Sequence, residues 1–202
     1  SSAASDVYKR QEYDFAVDEL SLRDEVSLIH QVADSPADQF HCDAVRLILN
    51  DPTNDLIRRD SPMDWLIRIV ATGAPARAQL PSFDSQLHAD SIDFDAEAGL
   101  IRANGKEGIW VRRGGISARL AQLAYQFDPN NHETIGLIDV QGAGIVNIDD
   151  PKIPVLRARW RDSFRLEPTS STTAKELDSE VLLQIAGDIH ATLTDGGEFK
   201  AD

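Results

Sequence analysis

Cysteine occurs once in this chain of 202 residues, at Cys42, and methionine also once. A lone cysteine excludes a disulfide framework and any multi-cysteine metal centre within the sequence. No apolar run approaches the roughly 18 residues that a membrane-spanning helix requires. Cations are outnumbered: 20 Lys and Arg stand against 34 Asp and Glu, a formal charge of −14. Taken as a whole, such a chain is repelled by nucleic-acid phosphates and by anionic membranes, and its charge reads as a solvated acidic surface. The five histidines form no His-x-His or His-Glu pairing of metal type, and no Ser or Cys sits in a nucleophile elbow. Gly142-x-Gly144 lacks the third glycine of a dinucleotide fingerprint and opens a strand pattern, not a helix. Asp93, Asp95, Glu97 and Gly99 outline a calcium loop only loosely. The Gly falls one place late, and Asn104 stands where the bidentate Glu belongs. No catalytic residue, metal ligand or cofactor is expected.

The first eleven residues stand apart. Asp6-Val7-Tyr8-Lys9-Arg10-Gln11 back-translates as GAT GTG TAT AAG AGA CAG, which resembles the mosaic end of a transposase sequencing adaptor read in frame. Residues 1–11 are therefore read as an artefactual or disordered leader. They carry Lys9 and Arg10 against Asp6, so the remainder, 12–202, holds a charge of −15. That remainder is read as one repeat array, truncated at its C-terminus.

What the sequence does contain is a repeat. Phe40-His41-Cys42-Asp43, Leu87-His88-Ala89-Asp90 and Phe199-Lys200-Ala201-Asp202 each read apolar, cation-capable, small, Asp. The first two run on into Val45, Leu47 and Leu49, and into Ile92 and Phe94. In both, the apolar phase slips by one residue at the Asp. A one-residue slip within a strand marks a bulge or corner at which the chain bends while keeping the same face inward. The Asp suits such a corner, because its carboxylate can accept from a nearby backbone N–H. Weaker copies align Leu120 with Leu87, and Leu156-Arg157-Ala158 with Leu87-His88-Ala89. The spacing of roughly 33 to 47 residues lies in the range of solenoid repeats.

The dominant period elsewhere is two, which predicts strands. They are expected at 26–28, 40–49, 69–80, 87–95, 100–103, 108–112, 116–127, 135–140, 144–148, 155–166 and 181–193. Turn chemistry separates them, including Asn104-Gly105 and Asp195-Gly196-Gly197. Two stretches carry helical spacing, Pro62 to Val70 and Ala174 to Leu183, and are expected as insertions.

Ile69-Val70-Ala71-Thr72-Gly73-Ala74-Pro75-Ala76, followed by Leu87-His88-Ala89-Asp90-Ser91-Ile92-Asp93-Phe94-Asp95, resembles the OstA-type β-jellyroll of lipopolysaccharide-transport proteins. In that family an Ala-x-Gly strand precedes an apolar-x-small-Asp strand, again and again. Ala103-Asn104-Gly105 and Val140-Gln141-Gly142-Ala143-Gly144 are similar to later openings of the same kind. The resemblance implies an all-β fold of stacked antiparallel β-jellyroll (β-taco) repeats, elongated and twisted, with short helical or loop insertions. It implies a location in the periplasm or cell envelope and a role in binding lipopolysaccharide or another acylated lipid. It further implies end-to-end strand pairing with other β-jellyroll envelope proteins, and no nucleic acid.

Residues expected to line an apolar trough are Val45, Leu47, Ile92, Phe94, Ile109, Val111, Tyr125, Phe127 and Trp160. The competing expectation for each is a self-filled β core, since large apolar residues usually pack against one another. A chain of that second kind would be a structural module of the envelope, assembling by edge-strand addition through 26–28 or 191–199. A carbohydrate-acting β-solenoid enzyme needs clustered carboxylates on one face, whereas here Asp and Glu fall at corners and turns. Arg157, Arg159 and Arg161 alternate on one face and are expected to pair with carboxylates across strands.

Overall fold

The computed structural model describes residues 2–7, 10–14, 18–32, 36–49, 66–81, 84–127, 136–149, 155–168 and 181–201. These form fifteen strands, all paired antiparallel in one sheet. They are β1 (Ser2–Val7), β2 (Arg10–Asp14), β3 (Glu19–Val32), β4 (Asp38–Leu49), β5 (Leu66–Leu80), β6 (Ser85–Asp95), β7 (Leu100–Arg113), β8 (Ile116–Gln126), β9 (Leu137–Gln141), β10 (Gly144–Ile148), β11 (Val155–Trp160), β12 (Ser163–Pro168), β13 (Val181–Ala186), β14 (Ile189–Leu193) and β15 (Glu198–Ala201). The main order is β1-β3-β4-β5-β6-β7-β8-β10-β11-β14-β15. At about 4.8 Å per strand this path runs roughly 50 Å.

Each long strand from β3 to β7 breaks register in line with its neighbours, and β4 slips once more against β5 between Ile48 and Leu49. The aligned breaks fall between Arg23 and Val26 in β3, His41 and Ala44 in β4, Thr72 and Ala76 in β5, His88 and Ser91 in β6, and Asn104 and Ile109 in β7. Past β8 the same line becomes a full interruption. The N-terminal part of β8 pairs with β10 and its C-terminal part with β9. From there the sheet forks into β10-β11-β14-β15 and β9-β12-β13. The seam divides the sheet into two walls. Wall A holds β1, the C-terminal part of β3, and the ladder to β15. Wall B holds β2, the N-terminal part of β3, and the ladder to β13.

The seam is built from the residues that permit a corner. Asp24 and Glu25 have φ of 68° and 67° in β3, and Gly108 has φ 89° in β7. Asp90 Oδ2 accepts from the Lys106 backbone N–H at 2.7 Å, tying the corner of β6 to that of β7. The carboxylate thereby satisfies a donor that the interrupted ladder leaves over.

Both walls turn their apolar sides to one interior. Beside the seam, wall B presents Leu22, Val45, Ala71, Ile92, Ala103, Leu123, Val140, Phe164 and Ile185 in consecutive strands. Wall A presents Val26, Cys42, Ala76, Ala89, Ile109, Leu120, Gly144 and Trp160. The buried members of both rows form a single cluster. Large and small residues alternate over Val45-Ala71-Ile92-Ala103-Leu123, so each branched side chain there overhangs a neighbouring alanine. That interdigitation brings a core to native density.

Phe40, Leu87 and Phe199 share one inward row of wall A. The register runs Leu28, Phe40, Ala78, Leu87, Val111, Ala118, Val146, Ala158, Ala191, Phe199. The three repeat copies are thus equivalent rungs. The two weaker copies align one row out: Leu120 and Trp160 stand in the row of Ala89, and Ala118 and Ala158 in that of Leu87.

Several expectations are corrected. Leu66–Leu80 is continuous strand, and Val181–Ala186 is strand, so the helical readings of 62–70 and 174–183 fail over those residues. Residues 62–65 and 174–180 lie outside the described residues. Among the described residues there is no α-helix. The expected turn at Asn104-Gly105 is a bulge inside the single strand β7. The expected single strands 155–166 and 181–193 are each two, divided at the seam. Val26–Leu28 is not an edge, because Ser27 and Leu28 pair with Val7 and Asp6 of β1. The nucleotide origin of residues 1–11 is a separate matter on which that pairing has no bearing.

Candidate functional site

All nine residues expected to line the trough face the interior. Val45 and Ile92 stand beside the seam in wall B, and Leu47, Phe94 and Tyr125 one row further out. Ile109 and Trp160 stand beside the seam in wall A, with Val111 one row out. Phe127 follows β8. Its ring stacks on Phe94 at 6.1 Å and meets Tyr125 at 6.0 Å.

The nine differ in depth. Val45, Ile109 and Trp160 are almost fully enclosed. The Trp160 ring lies 4.9 Å from that of Phe164, so a residue of wall A packs on one of wall B. Next to the seam the two walls therefore fill each other. Away from the seam they do not. Ile116, Leu156, Leu183 and Phe199 belong to the inward phase of their strands, yet are 40%, 44%, 50% and 53% exposed. Leu183 and Phe199 lie on the last strands of walls B and A. The interior is thus closed at its floor and uncovered along its mouth and at the β13–β15 end. None of the four is among the nine residues expected to line the trough, although Phe199 and Leu156 each open a repeat copy. Their signal was present in the alternation Ile116-x-Ala118-x-Leu120 and Leu156-x-Ala158-x-Trp160, whose inward members grow more exposed with distance from the seam.

The interior carries almost no ionisable chemistry. Cys42 is buried there, and its thiol is pushed up to about 11, first by burial and then by the Asp43 carboxylate. It behaves as a small apolar side chain. Charges sit on the outside. On wall B, Arg68 clasps Asp93 through two hydrogen bonds of 2.7 and 2.5 Å, and holds that carboxyl below the usual range. Arg46 meets Glu19 at 2.9 Å, and Arg165 meets Asp139 at 3.5 Å. At the seam, Arg161 bridges Asp162 and Asp188. Arg157 and Arg159 were expected to do likewise. Neither forms an ion pair among the described residues, because their strand neighbours are Asn147, Ile145, Thr192 and His190. His88, outward on wall A, has its pKa lowered by burial and by Arg77 beside it, and stacks against Trp110 at 4.9 Å. Among the described residues no three His, Cys, Asp or Glu side chains come together to hold a metal.

No protein-family model matches the chain, and no curated protein does. Among the solved structures similar to it is LptH of Pseudomonas aeruginosa, described as the LptA-homologous periplasmic component of the conserved lipopolysaccharide transport device. The identity is 11%, over 91% of this chain and 95% of LptH, with a TM-score of 0.46.

Proposed function

We propose that the chain is a periplasmic component of lipopolysaccharide transport, of the OstA-like kind, that holds acyl chains between its two walls. One observation carries the reading. The inward phase of the strands is mainly apolar beyond the self-filled floor, with polar members Asp38, Ser85 and Arg113 only in the outermost row of wall A, and its outer members Ile116, Leu156, Leu183 and Phe199 are exposed. A groove of that chemistry accepts a hydrocarbon chain without stranding a polar group. Burial returns about 0.8 kcal/mol per methylene, so a chain of about a dozen carbons gains several kcal/mol even when half covered. The repeated row makes that gain similar from strand to strand, as movement along the groove requires. The recurrent Ala-x-Gly and apolar-x-small-Asp strands support the family reading.

Uptake of a fluorescent fatty acid and of lipopolysaccharide by the full chain tests this. Saturable binding that falls at least tenfold in Leu183→Asn/Phe199→Asn is expected. A folded protein that takes up neither ligand removes the transport reading.

A second reading has its own observation, the packing of Trp160 on Phe164 across the walls. It makes the chain a structural module with a filled interior, joining partners through its last strands. Cross-linking at Glu198–Ala201 to a partner, with no lipid uptake, would favour it.

A further inference from the structure

The two outer faces of the sheet differ in sign, although the chain as a whole is acidic. The wall A portions of β5, β6, β7, β8, β10, β11 and β14 are Ala76–Leu80, Ser85–Ala89, Ile109–Arg113, Ile116–Leu120, Gly144–Ile148, Val155–Trp160 and Ile189–Leu193. Not one contains Asp or Glu. The same face carries Arg77, Arg112, Arg119, Arg157, Arg159 and Lys200, all exposed. None of the five arginines forms an ion pair among the described residues, and Lys200 meets only Glu198. Arg77, Arg119, Arg159 and Lys200 stand in one row across the sheet, which the register traces through His88, Trp110, Ile145 and His190. Arg112 and Arg157 stand in the next row. Wall B's outer face, by contrast, alternates Arg with carboxylate and neutralises itself, as in Arg68–Asp93 and Arg46–Glu19.

We propose that the outer face of wall A docks on an anionic phospholipid surface. Three features select that occupant. The cations occupy two adjacent rows over several strands, a two-dimensional array suited to a field of headgroup phosphates. Trp110 and Ile145 lie at the centre of the array. Together with Ser117, Asn147, Arg119 and Arg157 they border an open recess of about 380 Å³. An aromatic and an aliphatic group framed by guanidinium groups match the boundary between headgroups and acyl chains. Apart from Glu198, at the end of the Arg157 row on β15, the outward carboxylates of the paired strands from β5 onward lie on the other wall, at the seam and in turns. At physiological salt, charges more than about 8 Å away are largely screened, so the net charge does not prevent contact through this face. The inference does not depend on the interior holding lipid.

Flotation of the full chain with vesicles tests it. One set contains phosphatidylcholine alone and the other roughly one-third phosphatidylglycerol, each at about 50 and about 300 mM salt. Binding to the anionic vesicles only, weakened by salt, is expected. Each basic side chain contributes about fivefold. R119Q/R157Q/R159Q should therefore lose at least tenfold, while the Lys triple at the same positions retains binding. R46Q/R102Q/R165Q, on wall B, should bind as the parent does. Far-UV circular dichroism establishes that each variant is folded. No binding at low salt, or equal loss in both Gln triples, overturns the proposal. So does capture by heparin or an acidic protein without vesicle binding. Vesicle binding that survives in a variant unable to take up fatty acid separates this face from the interior.

Discussion

The indole of Trp160 lies across Gly144, its cross-strand partner in wall A, and donates from Nε1 to the Gly142 carbonyl oxygen at 3.1 Å. A Cβ at Gly144 would overlap the ring. Glycine here serves a close approach, not a turn: it lets a large aromatic side chain fill the floor where the two walls meet. Gly144→Ala should therefore displace the ring and destabilise the fold by about 2 kcal/mol, the usual cost of overpacking. Urea unfolding followed by tryptophan emission measures both effects. An unchanged midpoint would mean that the ring is not wedged there.

Depth in the interior should separate stability from binding. Ile109 is fully enclosed, and Ile109→Ala should cost about 3 kcal/mol. Phe199 is half exposed, and Phe199→Ser should stay within about 0.5 kcal/mol while weakening fatty-acid uptake. Thermal melts beside a binding titration give the comparison.

The Arg68–Asp93 pair sets part of the acid limb. The folded carboxyl is held below its ordinary range, chiefly by the hydrogen bond to Arg68. Its stabilisation is full above the unfolded carboxyl value of about 3.9 and is lost as pH falls through the lower folded value. The pair is partly solvated, so Asp93→Asn should cost no more than about 1 kcal/mol at neutral pH. Its cost should shrink as pH falls below the unfolded carboxyl value, which denaturant midpoints across pH would reveal.

The Cys42 thiol, buried and pushed up to about 11, should resist a thiol reagent at pH 8 and react at once in denaturant. Rapid labelling of the folded chain would place Cys42 away from the interior.

Removing residues 1–11 should leave the remaining sheet intact and uncover the β3 edge that β1 pairs with over Ser27–Val32. Unpaired edges associate. Sedimentation velocity should then show concentration-dependent self-association, with the far-UV spectrum retained. Loss of the spectrum would make β1 part of the folding unit.

The bend was legible in Phe40-His41-Cys42-Asp43 and Leu87-His88-Ala89-Asp90 because a one-residue phase slip has few other causes in a strand. Asp90 meets the expected backbone donor, although on the neighbouring strand at Lys106. The weaker copies misled by a row. Leu120 matched Leu87 in residue type, but the three-residue interval to Leu123 repeats that from Ala89 to Ile92. Spacing to the corner, not apolarity, carries the register. Leu66–Val70 and Val181–Leu183 read as helices because short apolar runs fit both periods, and sheet pairing decided them. The inward placement of all nine candidate residues followed from alternation. Their burial did not, because distance from the seam is a tertiary quantity. The sign of each outer face was hidden for a related reason: total charge averages wall A with wall B and with every turn.

The fork after β8 makes the molecule unequal along its length. From β3 to β8 each strand is a girder common to both sides, and its corner fixes the angle at which they meet. Further on, the two sides are joined by short links at 142–143, 161–162 and 187–188, by hydrogen bonds between those links, and by Trp160 packed on Phe164, so their separation is fixed at the floor and not by a common strand above it. Girth is rationed at one end and less constrained at the other, so any widening of the interior would arise beyond the fork.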